Sequence, residues 1–236
     1  MFLLRTLCAA WFLWAGLAFA EKKNLHVGDV APVFALKAVH QDASGDLFLG
    51  VDTYVGSEAS RPKKMVAVVF ATADCKVCKE QMEWWSLLHG HYMAKGVQVL
   101  WVVSEKDQEK IDVYKTLAKE WSVPFPVLVD RFQIVTKNYF VTQWPAVFMV
   151  SSEGKVFHAA QGYGVDHSKR VLEDVRKVLG ELSTEPLSPG LQQWLLNHGL
   201  GVASDPVVSQ PVAPAGASKA VPAEDVKKKT PHKKRR

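Results

Sequence analysis

Cysteine is scarce in this sequence: three in 236 residues, at positions 8, 75 and 78. So small a set excludes the multi-bridge framework that holds small secreted scaffolds together. It also argues against structural zinc, which wants a second Cys/His pair at ligand spacing. His89 and His91 are two apart and cannot share a helical face. Covalent haem wants C-x-x-C-H, and Lys79 stands where that histidine belongs. Long apolar runs are missing as well. The run Leu7–Phe19 inside MFLLRTLCAAWFLWAGLAFA falls short of the roughly 20 residues a spanning helix needs. No internal repeat is visible. Acid is absent from the last ten residues, KKKTPHKKRR, which carry seven positive charges. With those seven and Arg5 set aside, residues 21–226 stand at about −3, so the pI near 9.0 belongs to the tail. A body of that sign gives no reason to expect nucleic acid as a partner.

What is present begins with a leader. One arginine, a short apolar run and the small-x-small end Ala18-Phe19-Ala20 predict a secretory signal peptide cleaved after Ala20. Cleavage removes Cys8 and delivers the chain to the periplasm, where disulfides persist. The chain divides into the signal peptide (1–20), a globular domain (21–180), a short amphipathic appendage PGLQQWLLNHGL within 181–200, and a Pro/Ala-rich linker with basic tail (201–236). The last part has no helical or strand period and is expected to be disordered.

The domain alternates strand and helix patterns, which predicts an α/β fold. MVAVVFAT (65–72) and GVQVLWVVS (96–104) read as buried strands, FPVLVD (125–130) as a short one. AVFMVS (146–151) and KVFHAAQ (155–161) flank the hairpin signal Ser152-Glu153-Gly154. Helical spacing appears from Cys78 to about Ala94, over 107–121 and over 168–180, with QIVTKNYF a short helix.

Cys75 and Cys78 thus stand as C-x-x-C at a strand-to-helix junction. There the first sulfur meets free helix N–H groups that stabilise a thiolate, and the second lies one turn on, within reach of a mixed disulfide. This favours a redox pair; a structural staple across one helix turn is the alternative.

Three stretches resemble the exported TlpA/ResA-type thiol–disulfide oxidoreductases of the thioredoxin superfamily: GDVAPVFAL (28–36), the strand ending VVFATADCKVC, and TQWPAVFMVSSEGKV. The first is shared with the wider redoxin and peroxiredoxin group. The resemblance runs from about Gly28 to Gly180. It implies a thioredoxin-like fold, a central mixed sheet flanked by helices with an N-terminal strand pair added. It implies catalysis by a Cys75–Cys78 redox disulfide, Cys75 the nucleophile and Cys78 the resolving thiol, with no cofactor. It further implies that Pro145 is a cis-proline facing the cysteines and that Trp144 and Pro145 line the substrate groove. The partners it implies are protein disulfides as substrates and a membrane electron donor, with the reducing direction favoured.

The departures are specific. Asp74 replaces a common Trp, Gln81 stands three residues after Cys78 where the family often has Glu, and Val69 replaces a buried Asp of thioredoxins. Trp144 is larger than the usual residue before the proline. Two other readings are carried: a thiol peroxidase, since Thr72 makes T-x-x-C although Val68 stands where those enzymes place Pro, and a non-catalytic adaptor. Residues 227–236 are expected either to aid solubility or to tether the protein to an anionic surface.

Overall fold

The computed structural model describes residues 24–164 and 166–201. The expected signal peptide with Cys8, and the linker and basic tail from 202 onward, lie outside the described residues. Among the described residues seven strands, β1 (Leu36–His40), β2 (Phe48–Leu49), β3 (Met65–Ala71), β4 (Val97–Val103), β5 (Val127–Val129), β6 (Ala146–Ser151) and β7 (Val156–Gln161), form one sheet in the order β2-β1-β5-β4-β3-β6-β7. The three central strands β3, β4 and β5 are parallel, and the four outer ones join antiparallel. The helices are α1 (Lys76–Tyr92), α2 (Gln108–Glu120), α3 (Ile134–Asn138), α4 (His167–Leu179) and α5 (Pro189–Asn197).

The continuous apolar runs follow from a sheet covered on both faces. In β3, Met65, Ala67, Val69 and Ala71 enter the core beneath α1, α2, α4 and α5. Val66, Val68 and Phe70 enter a second core with Tyr54, Val135 and Tyr139. Every residue of β3 is buried, as is every residue of β4. The added N-terminal pair is β1 and β2, which extends the sheet beyond β5, while Val30 bridges to Lys155 at the far side. Gly50 permits this packing: a Cβ there would lie 1.6 Å from the Phe34 carbonyl oxygen.

Helix ends follow local chemistry. The Asp107 side chain accepts from the Glu109 N–H at 3.0 Å and caps α2. Gly180 closes α4 at φ 71° in the left-handed region. Beyond it the chain does not detach. Leu187, Leu191, Trp194, Leu195 and Leu200 join the α1 core, and the Trp84 and Trp194 rings meet at 6.0 Å. Arg176, buried in α4, donates to the carbonyls of Ser183 and Glu185 at 2.5 Å. The expected appendage is therefore packed as part of the domain, because an apolar stripe as dense as Leu191-Trp194-Leu195 gains most by covering α1. Among the described residues no helix is long and apolar enough to cross a membrane.

Candidate active site

β3 carries the chain to the C-terminal end of the central strands, and the next four residues, Thr72 to Cys75, turn it into α1. That turn is held from outside. The Thr72 carbonyl accepts from the Cys75 N–H at 3.2 Å and from the Tyr114 hydroxyl at 2.9 Å. The Ala73 N–H donates to Glu105 Oε1 at 2.8 Å, and Asp74 pairs with Lys110. Burial pushes the Tyr114 phenol above its ordinary pKa, so it remains a donor. The Asp74 hydrogen bond holds Lys110 above the usual lysine range, so the ammonium stays charged opposite Asp74. The carboxylate just before Cys75 thus has its own counter-ion.

Cys75 is the N-cap of α1, with extended backbone at φ −84°, ψ 99°. Its Sγ accepts from the Cys78 N–H at 3.1 Å and is bonded to Cys78 Sγ, with the Cα atoms 5.3 Å apart. Cys75 is half-buried and Cys78 has no exposed surface. A backbone N–H aimed at Sγ and the positive end of a 17-residue helix both favour a thiolate at Cys75 once the bond opens. Burial leaves Cys78 to be approached from within the protein.

Behind the pair the environment is neutral. Gln81 is buried and accepts from Ser168 Oγ at 3.3 Å. Glu80 points outward, 61% exposed, with Lys76 Nζ at 3.9 Å. Val69 is fully buried in the α1 core. Val68 lies mid-strand in the opposite core, so no turn exists where a peroxidase would place its proline.

The opposing loop is built by β6 and β7. Phe70 pairs with Ala146, so Pro145, one residue beyond, sits beside the end of β3 that leads to Cys75. The Trp144–Pro145 bond is cis, Pro145 is buried, and its carbonyl accepts from Gly162 N–H at 2.9 Å. Trp144 is half-buried and packs against the margins of both cores. Gln161 braces the loop from β7. Its Oε1 accepts from Thr142 N–H at 2.8 Å and Gln143 N–H at 3.3 Å, and its Nε2 donates to the Phe140 carbonyl at 3.0 Å.

Cys75 and Cys78 are brought together, and Trp144 and Pro145 lie at the same end of the central strands. Sequence reasoning missed Glu105, Lys110, Tyr114, Gln161 and Ser168. The Asp cap signal before α2 could have drawn attention to Glu105 and Lys110, which flank it; nothing local marks the others.

The family model for redoxins matches residues 26–179. The thiol-disulfide oxidoreductase ResA of Bacillus cereus strain ATCC 10987 is 30% identical over 159 residues, 67% of this chain and 82% of that protein. ResA of Bacillus subtilis strain 168 is 29% identical over 161 residues, covering 68% and 81%. The fold of a Chlorobium tepidum protein assigned as thiol:disulfide interchange protein DsbE superposes with a TM-score of 0.56 at 22% identity, over 66% of this chain and 100% of that one. With the family model spanning the sheet, the cysteine pair and the proline loop alike, and ResA proteins as relatives, the chain belongs to the redoxin family, among its ResA/TlpA-type thiol–disulfide oxidoreductases.

Proposed function

We propose that this oxidoreductase works in the reducing direction on disulfides of exported proteins. In the reduced enzyme the Cys75 thiolate attacks a substrate disulfide, forming a mixed disulfide and releasing one substrate thiolate. Cys78 gives up its proton and attacks Cys75 Sγ, releasing the second substrate thiol and leaving the Cys75–Cys78 disulfide. Two electrons and two protons from a membrane donor then restore the dithiol. Trp144 and Pro145 form the wall along which the substrate chain lies. The observation that carries the roles of the two cysteines is the asymmetry of the pair: Cys75 half-exposed at a helix N-cap and accepting an N–H, Cys78 fully buried one turn on.

The leader supports export to the periplasm, and the charge of residues 227–236 supports a tether to an anionic surface such as membrane headgroups, each basic residue contributing about 1 kcal/mol at low salt. Alkylation of the reduced protein tests the roles. Cys75 should be modified readily and Cys78 slowly, and a Cys78→Ser variant should trap substrates as stable mixed disulfides. Equal alkylation, or insulin reduction surviving Cys75→Ala, would remove the assignment.

A further inference from the structure

A cavity of about 830 Å³ lies apart from the cysteine pair. It is lined by residues 33–39, of which 33–36 run past the end of the three-residue strand β5, by the start of α2, and by residues between 129 and 138. The first turns of α2 divide it from the redox loop: Gln108, Ile111 and Asp112 line the cavity, while Lys110 of the same helix is outside the lining and holds Asp74.

Two features of the lining point to a ligand. The first is apolar surface left in water: Val33 is 68%, Phe132 73% and Ile134 58% exposed, all three on this one cleft. The second is unmatched charge. Lys37, Lys115 and Arg131 line the cleft, and none forms an ion pair with a described carboxylate. The two acids present are already engaged. Asp130 accepts from the Ile134 and Thr136 N–H groups and from Thr136 Oγ1, at 2.7–3.0 Å. Asp112 accepts from Gln108 Nε2 at 3.0 Å, and Gln108 Oε1 in turn receives the Arg131 guanidinium, which fixes that cation at the mouth. A cleft of this size, apolar on its walls and cationic at its rim, suits a small ligand with an apolar body and one anionic end.

We propose that this cleft binds such an amphiphilic anion, a medium-chain carboxylate or an aromatic sulfonate or carboxylate, independently of the redox reaction. The anion sits between Arg131, Lys115 and Lys37, and the apolar body lies along Phe34 and Phe132 over the β1 floor.

Titration calorimetry of the full mature chain with decanoate, checked by the fluorescence of anilinonaphthalene sulfonate, tests this. Saturable one-to-one binding is expected. Neutral 1-decanol should bind about tenfold more weakly, and the double variant Arg131→Gln/Lys115→Gln should lose about tenfold in affinity for decanoate but not for decanol. Phe132→Ser should weaken both ligands alike. These side chains are exposed, so the variants should fold, and insulin reduction should be unchanged. Absence of saturable binding, equal affinity for decanol and decanoate, or insensitivity to the charge variants would each overturn the proposal. So would binding of anionic vesicles that needs Phe132 while free decanoate is ignored, since the patch would then be a membrane contact.

Discussion

Replacing Trp194 by alanine probes how far the domain extends. The indole is 5% exposed, lies 6.0 Å from Trp84 on α1 and stacks on His198 at 3.8 Å. A buried tryptophan removes on the order of 200 Å² from water. At about 25 cal/mol per Å² that is roughly 5 kcal/mol as an upper bound. Large-to-small substitutions of this type cost about 3–5 kcal/mol. Against a typical total of about 5–15 kcal/mol this is a substantial share. For a domain of this size it should lower the melting temperature by roughly 10 °C. Ending the chain after Gly180 should be worse, because Arg176 would also lose the Ser183 and Glu185 carbonyls and stand buried without acceptors. Ending it after Gly201 should change little. Urea unfolding followed by tryptophan fluorescence and circular dichroism reads all three. If the chain ended after Gly180 melts with the full protein, α5 is an accessory and its packing on α1 contributes no stability.

Gly50→Ala should cost more than 3 kcal/mol, about the scale of a severe packing defect, or yield insoluble protein, because the new methyl would overlap the Phe34 carbonyl; a soluble variant with unchanged melting would refute that account. Gln161→Ala should slow insulin reduction about tenfold with only a small loss of stability, since it frees loop 140–143 while leaving the core intact; equal losses in rate and stability would show it to be merely structural. Burial pulls His89 and His167 down to about 4 from an ordinary value near 6.5. Their folded forms resist protonation, so the stability they confer is present above about pH 6.5 and falls as the pH drops toward 4, where the unfolded chain binds the extra protons. Denaturant titrations across that range should show the decline, and His167→Gln should flatten it by about one proton; an unchanged slope would contradict the burial argument.

Much of this was legible in the chain. β3 and β4 announce themselves because both faces are covered, which leaves Gln98, itself buried, as the single polar residue in the two runs. α1 starts at Lys76, earlier than the helical apolar spacing from Cys78, because Cys75 itself caps it. β5 spans only Val127–Val129, since Pro124 and Pro126 keep the preceding residues from extending the ladder. The place of α5 was harder to read, because an isolated amphipathic segment carries no label for the surface it covers. The supports of the redox turn were invisible for a different reason. Lys110 is 36 positions from Asp74, Tyr114 42 from Thr72 and Ser168 87 from Gln81. Only the order of strands in the sheet brings such residues together.

That order has a consequence for how the enzyme can vary. Thr72, Ala73 and Asp74 are each gripped by a residue from one short stretch, 105–114, so the shape of the turn is dictated by a neighbouring segment and not by the dipeptide between the cysteines. Lys76 and Val77 stand clear of that grip; Lys76 reaches only Glu80, at 3.9 Å, on the outside of the helix. The redox couple is therefore mounted like an interchangeable tip on a fixed holder. Exchanging the two intervening residues can retune the potential while the turn that presents Cys75 stays as it is.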